Sequence, residues 1–262
     1  MIEFSPETGS TNADAIAKLR RGEFVPEGTW LVADRQIRGR GRLGRQWFDG
    51  AGNFMGSTVV VIRFGDPAPG TLALVAGLAV HAAVENAMPG SARDANDPSP
   101  ASAELSDGVG ARRQRRDPLL KWPNDLMIGR AKLAGILLER EGDAVVVGIG
   151  VNLAAAPPLP DREAISLAEL GVAASRDDFA ASLAKAFALE VERWRTYGLG
   201  AIVNRWLAAA HPIGTPLTVG VLGELPLKGA FAGLSDDGAL QLRAADGTTH
   251  VVQSGEVSFA AP

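Results

Sequence analysis

Apolar residues change their spacing several times along this chain, and each change marks an element. From Thr11 to Arg20 they recur at helical intervals (Ala13, Ile16, Ala17, Leu19) behind three residues suited to cap a first turn, Ser10, Thr11 and Asn12. The spacing predicts a helix there. Trp30 to Ala33 and Phe54 to Phe64 are rich in Val, Ile and aromatics and predict strands, whereas residues 69 to 87 predict a buried helix. Leu119 to Trp122, Lys132 to Glu139 and Ala144 to Val151 are short apolar runs between turn signals and predict adjacent strands. Helices are expected at about 163 to 170 and at 177 to 197, the second with Phe179, Leu183, Ala186, Phe187, Val191 and Trp194 on one face. From Thr215 short strands alternate with turns at Ser235 to Gly238 and Asp246 to Gly247, the pattern of a small all-β unit. Such a unit, roughly 50 residues, is marginal alone and should pack on the main body.

Composition adds exclusions. The 262 residues are 46% hydrophobic, enough for one good core and a smaller second domain. With 26 basic and 30 acidic side chains the net charge is -4, so no global field draws the protein onto nucleic acid or anionic lipid. Anion binding must be local. No cysteine is present, which rules out disulfides, thiolate metal sites and thioester chemistry on the chain. The N-terminus MIEFSPETGSTN is not a secretory signal, and the most apolar stretch, Leu72 to Val84, falls short of the ~20 residues of a membrane helix and contains His81. A cytoplasmic location, with no membrane partner, is the expectation. Residues 89 to 118, rich in Pro, Ser, Gly, Asp and Arg and without aromatics, read as a flexible surface insertion, with ARRQRR a solvated charge run.

Candidate chemistry concentrates in three places. The stretch GRGRLGRQW places Gly39, Gly41 and Gly44 in a G-x-G-x-x-G pattern. A dinucleotide site would need a helix to open at the last glycine, but RQWFDGAGN and then a strand follow; no G-K-[ST] ending makes it a P-loop either. An isolated cluster of this kind is a plain surface turn. Four arginines, Arg38, Arg40, Arg42 and Arg45, repel one another on a glycine-flexible loop, which predicts a loop that orders when an anion arrives. The second place is KWPNDLMIGRAKLAGIL: Lys121 ends a strand, Pro123 fixes a turn, Asn124 and Asp125 flank it, Lys132 opens the next strand, and Gly135 permits close approach of a ligand or another backbone. An ordinary charged hairpin is the alternative. The third is GIGVNL, where Asn152 follows an apolar strand and needs partners, a metal-bound phosphate among the candidates. His81, His211 and His250 are scattered, have no ligand spacing, and read as structural.

Taken together, STN at 10 to 12, Q-x-x-GRGRxGRxW at 36 to 47, KWPND with K-L-x-G-I-L at 121 to 137 and GIGVN at 148 to 152 resemble the motif set of biotin protein ligases, in order and spacing. LPLKGAFAGLSDDGALQL followed by SGEVSF is similar to that family's C-terminal unit. The resemblance implies an α+β fold with a class II synthetase-like mixed sheet and flanking helices, in a catalytic domain over 1 to 212, and a small SH3-like β-barrel over 213 to 262. It implies activation of biotin with MgATP to biotinyl-5'-adenylate and transfer to one lysine of a biotin carboxyl carrier protein or domain of acetyl-CoA carboxylase. It also implies site residues. Ser10, Thr11, Asn12, Gln36, Gly39, Arg40, Gly41, Arg42, Lys121 and Gly135 would line the biotin pocket, and Arg42, Trp47, Asn124, Lys132 and Asn152 the ATP side. Asn152 would stand near Mg²⁺, and Lys121, Arg40 and Arg42 would act in catalysis. For Ser10 and Thr11 a helix cap is the alternative.

The implied chemistry is demanding. A carboxylate must attack a phosphate, and two such charges about 4 Å apart repel by about 4 kcal/mol at an effective dielectric near 20. Arg40, Arg42, Lys121, Lys132 and Mg²⁺ would offset this, and the Gly/Arg loop with Trp47 would close over the water-sensitive mixed anhydride. Rival readings are weaker. Octanoyl transferases of this fold use a cysteine that the chain lacks, lipoate ligases lack the GRGRxGR and KWPND pair, and biotin-sensing DNA repressors carry a winged-helix domain for which Ser10 leaves no room, so no DNA partner is expected. Sheet edges in such folds often pair, which leaves a homodimer as an open expectation.

Overall fold

The computed structural model describes residues 1–88, 117–158, 163–220 and 225–260. Strands β1 (Ile2–Ser5), β2 (Trp30–Ala33), β3 (Phe54–Val61), β4 (Pro118–Lys121), β5 (Asp125–Ile128), β6 (Ala131–Glu141) and β7 (Ala144–Val151) form one mixed sheet in the order β1-β2-β3-β7-β6-β5-β4. Among the described strand pairs of this sheet only β1–β2 is parallel. A second, antiparallel sheet follows the order β11-β10-β9-β8-β12 and is built from β8 (Pro216–Gly220), β9 (Leu227–Leu234), β10 (Leu240–Arg243), β11 (Thr249–Val252) and β12 (Glu256–Phe259).

Among the described residues, three helices cover the mixed sheet. Helices α2 (Leu72–Ala87) and α3 (Arg176–Ala208) pack against each other and on one face, where Trp30, Val32, Phe54, Val145, Val147, Ile149 and Val151 join the main core. Helix α1 (Thr11–Arg20) lies on the other face, over Leu31, Val59 and Val146. The period of 2 along each strand thus divides the sequence into two faces. On the α1 face, further along β6 and β7, the apolar residues give way to Gly135, Gly148 and Gly150. The sheet is stripped of side chains there, and the cleft described below opens over it.

Several expectations are refined. The helix expected at 163 to 170 is only a single 3-10 turn at Ala168–Leu170, where Ser166 and Glu169 satisfy each other's polar groups. Helix α3 runs on past 197 to Ala208 because Gly198, at φ 73, absorbs a kink that a side chain would resist. The strand beginning at Phe54 ends at Val61 rather than Phe64, and Lys132 to Glu139 lengthens to Ala131–Glu141. Strands β1 and β5 were not expected. With its leading 3-10 turn, α2 extends the apolar stretch to 19 residues at Pro69–Ala87, long enough by length and composition to cross a membrane, but most of it is buried inside the protein against α3 and the sheet. The insertion read at 89 to 118 lies outside the described residues over 89 to 116.

Candidate active site

The first turn of α1 sets one end of the site. Ser10 occupies the capping position in extended conformation, yet its hydroxyl makes no capping bond, so the cap reading fails; the Ser10 carbonyl accepts from Asp14 N–H instead. Ser10, Thr11 and Asn12 are buried at 4 to 5% exposure. Gln36 Oε1 accepts from the Thr11 amide at 2.7 Å and lies 3.0 Å from its hydroxyl; that hydroxyl is 2.6 Å from Ser57 Oγ, which donates to Asn12 Oδ1 at 2.5 Å. The side chains that line this end are uncharged, buried and hydrogen-bonded to one another.

The other end is ionic. The tight turn between β4 and β5 directs Lys121, Asn124 and Asp125 to one side, and Lys132 arrives from the start of β6. Asp125, its side chain 13% exposed, pairs with Lys121 at 2.9 Å and with Lys132 at 2.5 Å. Burial alone would raise the Asp125 carboxyl, but the charges of Lys132 and Lys121 outweigh it and hold it at about 2. Lys121 also donates to the Val257 carbonyl of β12 at 2.9 Å. Arg42 reaches Asn124 Oδ1 and the Gly255 carbonyl, both at 3.1 Å, and burial pulls its pKa below the usual guanidinium value against the charges of Asp125 and Glu256.

The Gly/Arg loop is a small ordered hairpin: Arg40 bridges to Gln46, a 3-10 turn covers Arg42–Gly44, and Leu43 takes φ 57. The expectation that its arginines repel until an anion arrives is corrected, because internal acceptors already hold three of them. Arg40 pairs with Glu139 at 3.6 Å, Arg45 with Glu256, and Arg42 as above. Trp47 leaves the loop and lays its indole on the bare sheet; a Cβ at Gly150 would fall inside the ring, one at Gly135 would come within 3.0 Å of it, and Lys132 Nζ sits 5.7 Å from its centroid. Its Nε1 is buried without a partner.

These groups line one cleft of about 1230 Å³, above the ~300–1,000 Å³ usual for one small ligand and sized for two. Ser10, Thr11, Asn12, Gln36, Arg40, Gly41, Arg42, Trp47, Lys121, Asn124, Lys132, Gly135 and Asn152 all line it, but Gly39 does not: it packs behind Gln36 and Trp47, and its carbonyl accepts from Trp47 N–H. Asn152 donates to the Lys132 and Ile165 carbonyls, while its Oδ1 is buried and unpartnered. Sequence reasoning missed Ser57, Asp125 as the shared counter-ion, and the carbonyls of Gly255 and Val257. No group of three or more His, Asp or Glu able to hold a metal occurs among the described residues.

A cluster of uncharged hydrogen-bonding groups and a set of cations sharing one cleft suit a site that holds a small polar ligand beside an anionic one. Residues 5–153 match the biotin/lipoate A/B protein ligase family, residues 216–260 match the biotin protein ligase C-terminal domain, and the chain belongs to this family. It is 38% identical to a biotin–acetyl-CoA carboxylase ligase of Paracoccus denitrificans, over 96% of this chain and 98% of that one. It is 34% identical to the ligase of the same name from Mycobacterium tuberculosis, over 98% and 88%. The biotin protein ligase of Aquifex aeolicus, solved with biotin and ATP, superposes with a TM-score of 0.76 at 25% identity, covering 100% of this chain and 99% of that one.

Proposed function

We propose that this protein joins biotin to a carrier protein in two steps, with the cleft holding biotin and ATP together. A biotin carboxylate oxygen attacks the α-phosphorus of ATP and the bond to pyrophosphate breaks; an acceptor lysine amine then attacks the acyl carbon, loses a proton, and AMP departs. The observation that carries this reading is the pair of lysines on one buried carboxylate, facing a neutral hydrogen-bonding end across one cleft.

The ureido ring of biotin has one acceptor and two donors, all needing partners once buried, and Ser10, Thr11, Asn12 and Gln36 supply complementary groups. Arg40, Gly41, Arg42, Lys121 and Gly135 would border the carboxylate, Arg42, Trp47, Asn124 and Lys132 the nucleotide. Lys121 and Arg42 now donate to the Val257 and Gly255 carbonyls; exchanging these for substrate oxygens brings charge to the reacting groups without importing it from solvent. Asn152, whose Oδ1 has no partner, would be the residue near a Mg²⁺ ion, which is otherwise held by nucleotide phosphates and water. When bound, the ion would neutralise phosphate charge. The names of the relatives point to acetyl-CoA carboxylase, so its carrier domain is the proposed acceptor. The test is incubation of purified protein with MgATP, biotin and a carrier domain: attachment of biotin to the carrier lysine supports the reading, and a folded protein that attaches lipoate but no biotin refutes it.

A further inference from the structure

One charged group at the neutral end takes no part in the roles assigned so far. Glu139 does not line the cleft; it lies on β6, two and four residues beyond Leu137 and Gly135 and on the same face of the sheet. Its Oε2 accepts from Asn12 Nδ2 at 2.8 Å and its Oε1 stands 3.6 Å from Arg40 Nη2. Asn12 is otherwise confined by Ser57 Oγ on its oxygen and by Gly148, where any Cβ would run into the amide.

We infer that Glu139 is a positioning residue that fixes the Asn12 amide with its oxygen toward the cleft and ties that amide to Arg40 of the Gly/Arg loop. An ionised carboxylate can only accept, so it demands the amide nitrogen and leaves Oδ1 as the face presented inward. Proton counting shows the consequence. Thr11 and Ser57 hold two hydroxyl protons, and these fit two orders. In one, Thr11 donates to Ser57 and Ser57 to Asn12. In the other, Ser57 donates to Thr11 and Thr11 to Gln36 Oε1, which frees Asn12 Oδ1 for a ligand N–H. The neutral end can therefore receive a donor by rearranging two protons, with Ser57 Oγ and Asn12 Oδ1 easing apart from 2.5 Å once no proton lies between them. An amide free to flip would lose this selectivity.

The inference rests on the proposed biotin reading. Its test is calorimetry of biotin, without nucleotide, into wild type, Glu139→Ala and Glu139→Gln, together with the rate at which each releases biotinyl-adenylate. Glu139→Ala should weaken biotin binding by about tenfold or more, the loss expected for a hydrogen bond to a charged group. In Glu139→Gln the amide oxygen still accepts from Asn12 but the charge facing Arg40 is gone. This variant should bind biotin within about threefold of wild type yet release adenylate up to about fivefold faster, as loss of a half-exposed ion pair allows. Biotin binding by Glu139→Ala within twofold of wild type overturns the inference, as does an equal loss in both variants or unchanged adenylate release in Glu139→Gln. If Glu139→Ala does not fold, the split between binding and release in Glu139→Gln decides alone. A wild type that takes up no biotin refutes the functional reading and this inference with it, whereas normal wild-type binding with unaffected variants refutes this inference only.

Discussion

The two ends of the cleft are organised by different physics. At the neutral end Thr11, Asn12, Gln36 and Ser57 are 1 to 7% exposed and satisfy one another, so its shape exists before any ligand arrives. At the ionic end Arg40 and Arg45 are 49% and 43% exposed, and the loop cations rest on acceptors that belong to the protein itself. A buried polar cluster loses much if one member is removed, whereas half-exposed ion pairs exchange partners cheaply. The first end is suited to selecting a ligand and the second to moving charge onto it.

The comparison can be broken most severely at Lys121. Lys121→Ala should lower biotin-dependent pyrophosphate release by at least about a hundredfold, the scale for removing one preorganised electrostatic donor, while calorimetry still records biotin binding. Near-normal release would remove Lys121 from the chemistry. Next is Asp125→Asn, which leaves two lysines facing each other over a neutral amide. Breaking a buried pair in this way should destabilise the fold by about 3 kcal/mol, read in denaturant titration. Because the Asp125 carboxyl is depressed, its contribution to stability is present above the ordinary carboxylate value and disappears only as pH falls through about 2, so the deficit of Asp125→Asn should be constant across neutral pH.

Smaller effects sharpen the contrast. Arg42→Gly removes the bonds to Asn124 and to the Gly255 carbonyl and should let adenylate escape about tenfold faster, reported by labelling of unrelated proteins. Tight retention would show that the loop is no lid. An effect confined to acid pH is expected at His211, packed edge-on against Phe259 and lowered by burial, and by the charge of Lys121, to about 4. The unfolded chain takes up this proton below its ordinary value of 6.5 but the folded one only below about 4, so stability should fall as pH drops between those values and then level off. His211→Gln should flatten that part of the melting profile.

Much of this was legible before any coordinates. Strongly periodic stretches gave α1, β2, β6 and β7, and the site residues named from the motifs line the cleft with the exception of Gly39. What stayed hidden depends on distant partners. Strand β1, four residues of IEFS, exists because it pairs with β2 about 28 residues later, and DLMI of β5 is held between β4 and β6 across a two-residue turn signal that masked it. Ser57 was passed over as a polar residue in a strand of apolar ones and Glu139 as the start of a charged strand end; counting alternate positions from Gly135 through Leu137 would have placed Glu139 on the glycine face. No local signal announces that carbonyls of residues 255 and 257 reach Arg42 and Lys121, since that contact spans 213 and 136 positions.

The central claim is that the neutral end is preformed and selects its ligand before nucleotide binds. Calorimetry with biotin, lipoate and ATP, each added alone to the purified protein, tests it most directly. Tight binding of biotin with no heat from lipoate is the predicted result; a protein that ignores biotin until ATP is present, or that binds lipoate equally well, would contradict it.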